Sequence, residues 1–412
     1  MGVCMSVRQV KRRRVFYIPG YDPFHPRRYR ELYRSEGAEQ ARISGYDLTL
    51  KGRQGGVYGW DVWSAQDSAN TETSVDVLVW SDIVRDSMAG GIAATYGQLL
   101  RTAWVYISSG ALFRLAGLRK GPVIAALYPV VALILQLWAA IIAAWLGAGF
   151  LAMGLNALGI TGAAVWAAQV AVALGIGGAI LRWFRKHDGR FFAYYLMHDY
   201  AFSARWRGAD PPALRARMKE FEGRIAAALS GDADEVLIVG HSSGAHIGVS
   251  VLAEVIRAGR VPEQGPTLSF LSLGQVVPMV SFLPDAGALR GDLAYLSTRP
   301  ELFWMDVTAP GDGCAFALCD PVAVSGVAPQ GQLWPRVISA AFTQTLSPAR
   351  WKELRRRFFR LHFQYLCAFD RPGDYDYFRI TAGPQTLAGR YADRAPSPAR
   401  ITRPANRYRS TS

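Results

Sequence analysis

The sequence predicts an α/β fold built on a mostly parallel sheet with helices on both faces, interrupted by an apolar two-helix hairpin. Three observations carry this reading. Short apolar runs of strand length, Val236–Val239, Thr267–Leu273 and Leu302–Val307, alternate with helix-length patterns. No Asp, Glu, Lys or Arg occurs from Gly121 to Leu181, a stretch of 61 residues. And the run Val236–Val239 leads through Gly240-His241-Ser242-Ser243-Gly244 directly into a helical pattern.

The chain of 412 residues has room for one large domain or two ordinary ones. With 50% hydrophobic and 19% charged residues, it has too much apolar surface for a disordered protein. Four cysteines (Cys4, Cys314, Cys319, Cys367) show no paired spacing, and the six histidines are scattered. That excludes a disulfide scaffold and a zinc motif, so no metal or cofactor is expected. A net charge of +14 calls for an anionic partner. The arginines form no nucleic-acid motif and several flank the apolar run, so the expected partner is a lipid bilayer and not nucleic acid.

Taken in chain order, Val15–Ile18 reads as a buried strand ended by Pro19-Gly20, and Asp76–Trp80 as a second strand. Between them the sequence reads as loops rich in Gly, Trp and Tyr. The uncharged run is long enough for two bilayer spans, near Val123–Leu146 and Ala163–Leu181, with a turn around Gly154, Asn156, Gly159 and Gly162. A buried helical hairpin of a soluble domain is the competing reading, but such helices usually carry a charged face. Arg114, Arg119 and Lys120 precede the first span, and Arg182, Arg185 and Lys186 follow the second. Both flanks are therefore expected on the cytoplasmic side, with both termini there as well. The Ala- and Arg-rich composition points to a bacterial inner membrane; the MGVCMS start matches an N-myristoylation pattern that this setting makes fortuitous.

Beyond the hairpin, Pro211–Leu229 reads as a helix with proline at its start and Gly231 past its end. Val236–Val239, the helix Ala245–Ala258, and the strands Thr267–Leu273 and Leu302–Val307 follow. Arg350–Phe363 is basic and of mixed pattern. The expected organisation is 1–120 and 182–383 as two parts of one α/β domain, 121–181 as the inserted hairpin, and 384–412 as a disordered basic tail with six arginines.

The chemistry concentrates at Ser242. A G-x-S-x-G turn between a strand and a helix is the setting of a nucleophile elbow, where the strained bend exposes the serine oxygen beside a helix N-terminus. Serine needs a base, and in elbow-bearing folds the chain order is serine, acid, histidine. His25, His187 and His198 precede Ser242, His241 lies inside the elbow, and His246 is one turn into the helix. His362 remains as the expected base. The acid is expected after Leu302–Val307, in Thr308-Ala-Pro-Gly-Asp312-Gly, with Asp306 and Asp320 as alternatives. The backbone N–H groups of Ser243 and of Tyr21, the latter in the Pro19-Gly20-Tyr21 turn, are the expected oxyanion donors.

Ile18-Pro-Gly-Tyr21, the Gly240–Gly244 elbow, Asp312 and His362 together resemble the α/β-hydrolase superfamily, whose lipases, esterases and thioesterases carry the GHSxG form. The chain departs from the commonest pattern in having Pro19-Gly20 where many members have His-Gly. The resemblance implies a serine hydrolase acting on an ester or thioester; the alternative is a membrane-tethered scaffold that keeps the fold without catalysis.

Overall fold

The computed structural model describes residues 9–412. The MGVCMS start and Cys4 lie outside the described residues. Eight strands, β1 (Arg12–Ile18), β2 (Asp47–Gly52), β3 (Gly59–Gln66), β4 (Ala69–Val77), β5 (Glu235–His241), β6 (Thr267–Leu273), β7 (Leu302–Thr308) and β8 (Arg336–Ser339), form one sheet in the order β2-β3-β4-β1-β5-β6-β7-β8. The five pairs from β4 to β8 are parallel, and β2-β3 and β3-β4 are antiparallel. The α/β class and the mostly parallel sheet are thus as the sequence predicts. β5 and β7 are buried along their whole length, which is why they read as continuous apolar runs.

The chain begins in the middle of this sheet. From β1 it crosses to the edge strand β2 and returns inward through β3 to β4 on one side, and later moves outward from β5 to β8 on the other. β1 and β5 lie side by side with Ile18 opposite Gly240. Their carboxyl ends are therefore a topological switch point, where crossovers diverge and leave a crevice.

The region near the N-terminus differs from the sequence expectation. The supposed loops hold a helix, Arg27–Ser44, stopped at Gly45 (φ +70°), and the antiparallel pair β2-β3. The second strand runs Ala69–Val77, so it starts inside the supposed loops and shares only Asp76 and Val77 with the expected Asp76–Trp80. β2 is an edge strand with alternating half-burial, so it lacks the apolar run that marks the central strands.

The molecule divides into two compact units. One comprises the chain up to Asp86 with Tyr106–Val123 and Trp206–Ser412, and holds the sheet; the other comprises Ser87–Val105 and Ile124–Arg205. Two helices of the second unit are long and apolar enough to cross a membrane, Lys120–Ala157 with 38 residues and Ala163–Lys186 with 24. Only 17% and 6% of their most apolar stretches are buried, which does not suit the core hairpin of a soluble domain. The first helix runs through Gly154 and Asn156, and the turn occupies 158–162 with φ +75° at Gly159 and +85° at Gly162. Within this unit Leu99, Leu133, Tyr194, Met197 and Ala201 form a buried cluster, and the Tyr96 hydroxyl donates to the Leu133 carbonyl at 2.9 Å.

The segment 384–412, expected to be disordered, is ordered. It contains the helix Leu387–Tyr391, with Tyr391 fully buried, and a bridge between Ile401 and Cys319. The physical reason lies in two buried arginines. Arg13 donates to Glu235 Oε2 (2.6 Å) and to the Gly383 and Gln385 carbonyls, and Glu235 also accepts the Leu387 N–H. Arg290 donates to the Ser410, Ser281 and Leu283 carbonyls. Buried guanidinium donors need acceptors, and the tail's main chain supplies them.

Both side chains of the Arg13–Glu235 pair are fully buried. Replacing Arg13 with Ala leaves Glu235 buried and unpaired and frees the tail, so it should cost about 3–5 kcal/mol of stability. A denaturant titration of the detergent-solubilised protein reads this as a lower midpoint, with Tyr391 and its neighbours becoming protease-accessible.

Candidate active site

β5 ends at His241, and the next residue, Ser242, adopts φ +57°. A side chain in this left-handed region carries strain unless the surroundings impose it. Here they do. The Ser242 N–H donates to the Leu273 carbonyl at 2.9 Å, and the Ser242 carbonyl accepts the Ala245 N–H at 3.1 Å. The flanking glycines permit the tight passage: a Cβ on Gly240 would lie 2.6 Å from the Gly244 carbonyl oxygen, and one on Gly244 would overlap the Ile18 carbonyl. The helix Gly244–Arg257 starts immediately afterwards.

β1 delivers the second piece. The Pro19-Gly20 turn lies over the serine, since a Cβ on Gly20 would sit 3.0 Å from Ser242 Cβ and 3.4 Å from its Oγ. Trp80 fixes this turn by donating its indole N–H to the Pro19 carbonyl at 2.9 Å, and Tyr21 packs its ring edge-on against Trp80. Tyr21 and Ser243 thus flank the serine from β1 and from the helix N-terminus.

The third piece arrives from the loop after β7 and from the short helix Phe358–His362. His362 Nδ1–H donates to Asp312 Oδ2 at 2.7 Å, both side chains being buried. Asp312 Oδ2 also accepts the Tyr365 hydroxyl (3.0 Å), and Oδ1 accepts the Cys314 N–H (2.9 Å). Burial alone would raise the Asp312 carboxyl; the His362 imidazole and these hydrogen bonds outweigh it and hold the group below the usual carboxylate range. With Nδ1 committed to Asp312, Nε2 of His362 is the free lone pair. His362 and Ser242 border the same corner at the end of β6. Ser242 bonds to Leu273, and a Cβ on Gly274 would lie 3.0 Å from His362 Cε1.

Of the three aspartates considered, only Asp312 touches His362. Asp306 is buried in β7 and accepts from the Ser272 hydroxyl, and burial raises its pKa to about 8. Asp320 caps the short helix Pro321–Val324 through the Val322 and Ala323 N–H groups. His246 sits on the buried face of its helix, where burial lowers its pKa to about 4. Asp312, Cys314 and His362 each offer an atom within 4.8 Å of the others, a spacing that could also hold a metal ion. Asp312 and His362 are already hydrogen-bonded to each other there.

Two residues of this site were not singled out from sequence. His241, the variable residue of the elbow, donates Nε2–H to the His362 backbone carbonyl at 3.0 Å, and its ring lies 4.8 Å from that of His362. Burial, then the neighbouring His362, depresses its pKa to about 3, so it stays neutral. Tyr365 receives the Ala309 N–H while donating to Asp312, which ties the acid loop to the histidine segment. Tyr365 lies three positions past His362, a spacing that could have pointed to it; nothing local marks the contact of His241 with a carbonyl 121 residues away.

Comparison of the chain with protein-family models, with curated proteins and with solved structures finds no match in any of the three.

Two outcomes test this geometry. Ser242→Gly removes a side chain from the left-handed region and should raise stability by about 1 kcal/mol, read as a higher thermal midpoint. Asp306 keeps its proton in the folded state up to about pH 8, whereas the unfolded chain loses it near the ordinary carboxylate value of about 4. Between those limits the unfolded state binds fewer protons, so this group makes stability fall as pH rises. Asp306→Asn should flatten that fall, so that the difference in unfolding midpoint between variant and parent grows from pH 5 to pH 9.

Proposed function

We propose that the protein is a membrane-anchored serine hydrolase of α/β-hydrolase type, cleaving a carboxylic ester or thioester by way of an acyl-enzyme. The observation that carries this reading is the buried His362–Asp312 bond of 2.7 Å at the same sheet corner as a serine held at φ +57°. Structural histidines and aspartates often pair, and left-handed serines occur in ordinary turns. Their meeting at the carboxyl ends of β1, β5 and β6, at the switch point of a parallel sheet, favours catalysis.

In the proposed mechanism His362 Nε2 takes the Ser242 hydroxyl proton as Oγ attacks the acyl carbon. Asp312 keeps the imidazole in the tautomer with Nδ1 protonated and stabilises its charged form. The Ser243 and Tyr21 N–H groups receive the oxyanion. His362 then passes its proton to the leaving alcohol or thiol. In the second half it removes a proton from water as the water oxygen attacks the acyl-enzyme, then returns that proton to Ser242 Oγ as the ester bond breaks and the acid leaves.

The two long apolar helices support an anchor in a bilayer, and the basic flanks support placing the sheet-bearing unit and both chain ends on the cytoplasmic side, in a bacterial inner membrane. Acyl substrates dissolved in that bilayer are then concentrated near the site, which favours a lipid ester.

Ser242→Ala should abolish labelling of the detergent-solubilised protein by a fluorophosphonate probe. Asp312→Asn and His362→Gln should each lower hydrolysis of an activated ester by about 10³-fold or more, while Asp320→Asn changes it little. Labelling that persists in Ser242→Ala would refute the assignment.

A further inference from the structure

At the end of the second long apolar helix, Ala163–Lys186, an open cleft of ≈ 570 Å³ is lined by Ile92, Arg182, Arg185 and Lys186. The three cations stand at positions i, i+3 and i+4 of one helical turn, so they share a face, where like charges repel. Arg185 is steadied by donating to the Gly90 carbonyl at 2.7 Å. None of the three is ion-paired to a carboxylate among the described residues. The adjacent acid, Asp188, spends both oxygens on the Tyr194 and Tyr195 N–H groups. Three clustered charges with no counter-ion call for an anion.

The surface leading to the cleft is apolar. Trp166, Val170 and Leu174 are spaced by four residues and are 69%, 38% and 72% exposed. The same ridge continues through Gly178 to Arg182 and Lys186. At Gly178 the missing side chain leaves room, and a Cβ there would lie 3.3 Å from an Arg182 guanidinium nitrogen. An exposed apolar track that ends in three unpaired cations has the complementary form of an amphiphile with a negative head. Trp183, 49% exposed beside the cations, suits the depth of lipid head groups.

We infer that this cleft is a head-group site for an anionic phospholipid, whose phosphate is held by Arg182, Arg185 and Lys186 and whose acyl chain lies along the Trp166–Leu174 ridge. A free phosphate would meet the same cations but make no use of the ridge. The inference rests on the membrane reading and is independent of the hydrolase reading.

The test is native mass spectrometry of the full-length protein in detergent, titrated with phosphatidylglycerol or phosphatidylcholine. The parent should retain phosphatidylglycerol preferentially. The variant Arg182→Gln/Arg185→Gln/Lys186→Gln should bind it at least about tenfold more weakly, with phosphatidylcholine unchanged. Arg190→Gln/Arg205→Gln/Arg207→Gln, which removes equal charge elsewhere, should bind as the parent does. If the glutamine variant does not fold, Arg182→Lys/Arg185→Lys should fold and keep the preference, because the charge remains. Equal weakening in both triple variants, no preference in the parent, loss of preference in the lysine variant, or displacement of the lipid by equimolar inorganic phosphate would each overturn the inference. Release of the protein from membranes by alkaline carbonate would instead refute the membrane reading itself.

Discussion

The site depends on the main chain being forced through a left-handed bend at Ser242. Three backbone segments crowd this point: the end of β1, the first turn of the helix Gly244–Arg257, and the end of β6. Their closeness requires glycine at 240 and 244, and it turns the serine side chain out of the strand direction. Strain of this kind persists only where neighbours over-determine the conformation, and here a hydrogen bond to Leu273 and the approach of Ile18 do so.

The sheet order explains why the remaining pieces can reach that bend. Because β1 and β5 are adjacent while their connections leave in opposite directions, the space beyond their carboxyl ends is not crossed by a connection between them. The Pro19-Gly20 turn, the loop after β7 and the Phe358–His362 segment all enter there. His241 and Tyr365 then bind the Phe358–His362 segment and its continuation to β5 and to the loop after β7 through buried hydrogen bonds. In a water-poor interior such bonds fix orientation, since a mispaired polar group would be costly.

A second set of buried polar groups shapes the periphery. Arg13 and Arg290 draw the chain beyond residue 382 onto the sheet-bearing unit by taking main-chain carbonyls as partners. The tail's composition, with many arginines and few large apolar residues, reads as disorder when counted alone. Its order comes from donors placed more than a hundred residues away in the chain, so local composition had no means of reporting it.

The sequence by itself determined the features whose cause is local or periodic. These are the α/β class, the buried strands Thr267–Leu273 and Leu302–Val307 to within a residue, the two long apolar helices, and the strand–turn–helix around Ser242. Chain order and loop chemistry also named Asp312 and His362, which the structure brings into hydrogen-bond contact. Tertiary structure alone decided the place of β1 at the sheet's centre, the edge strands β2 and β3, the extent of the first apolar helix and the ordering of the tail. It also brought Asp312, and not Asp306 or Asp320, into contact with His362. The reason is the same in each case: hydrogen bonds between residues distant in sequence obey geometry and burial, and neither leaves a period or a motif along the chain.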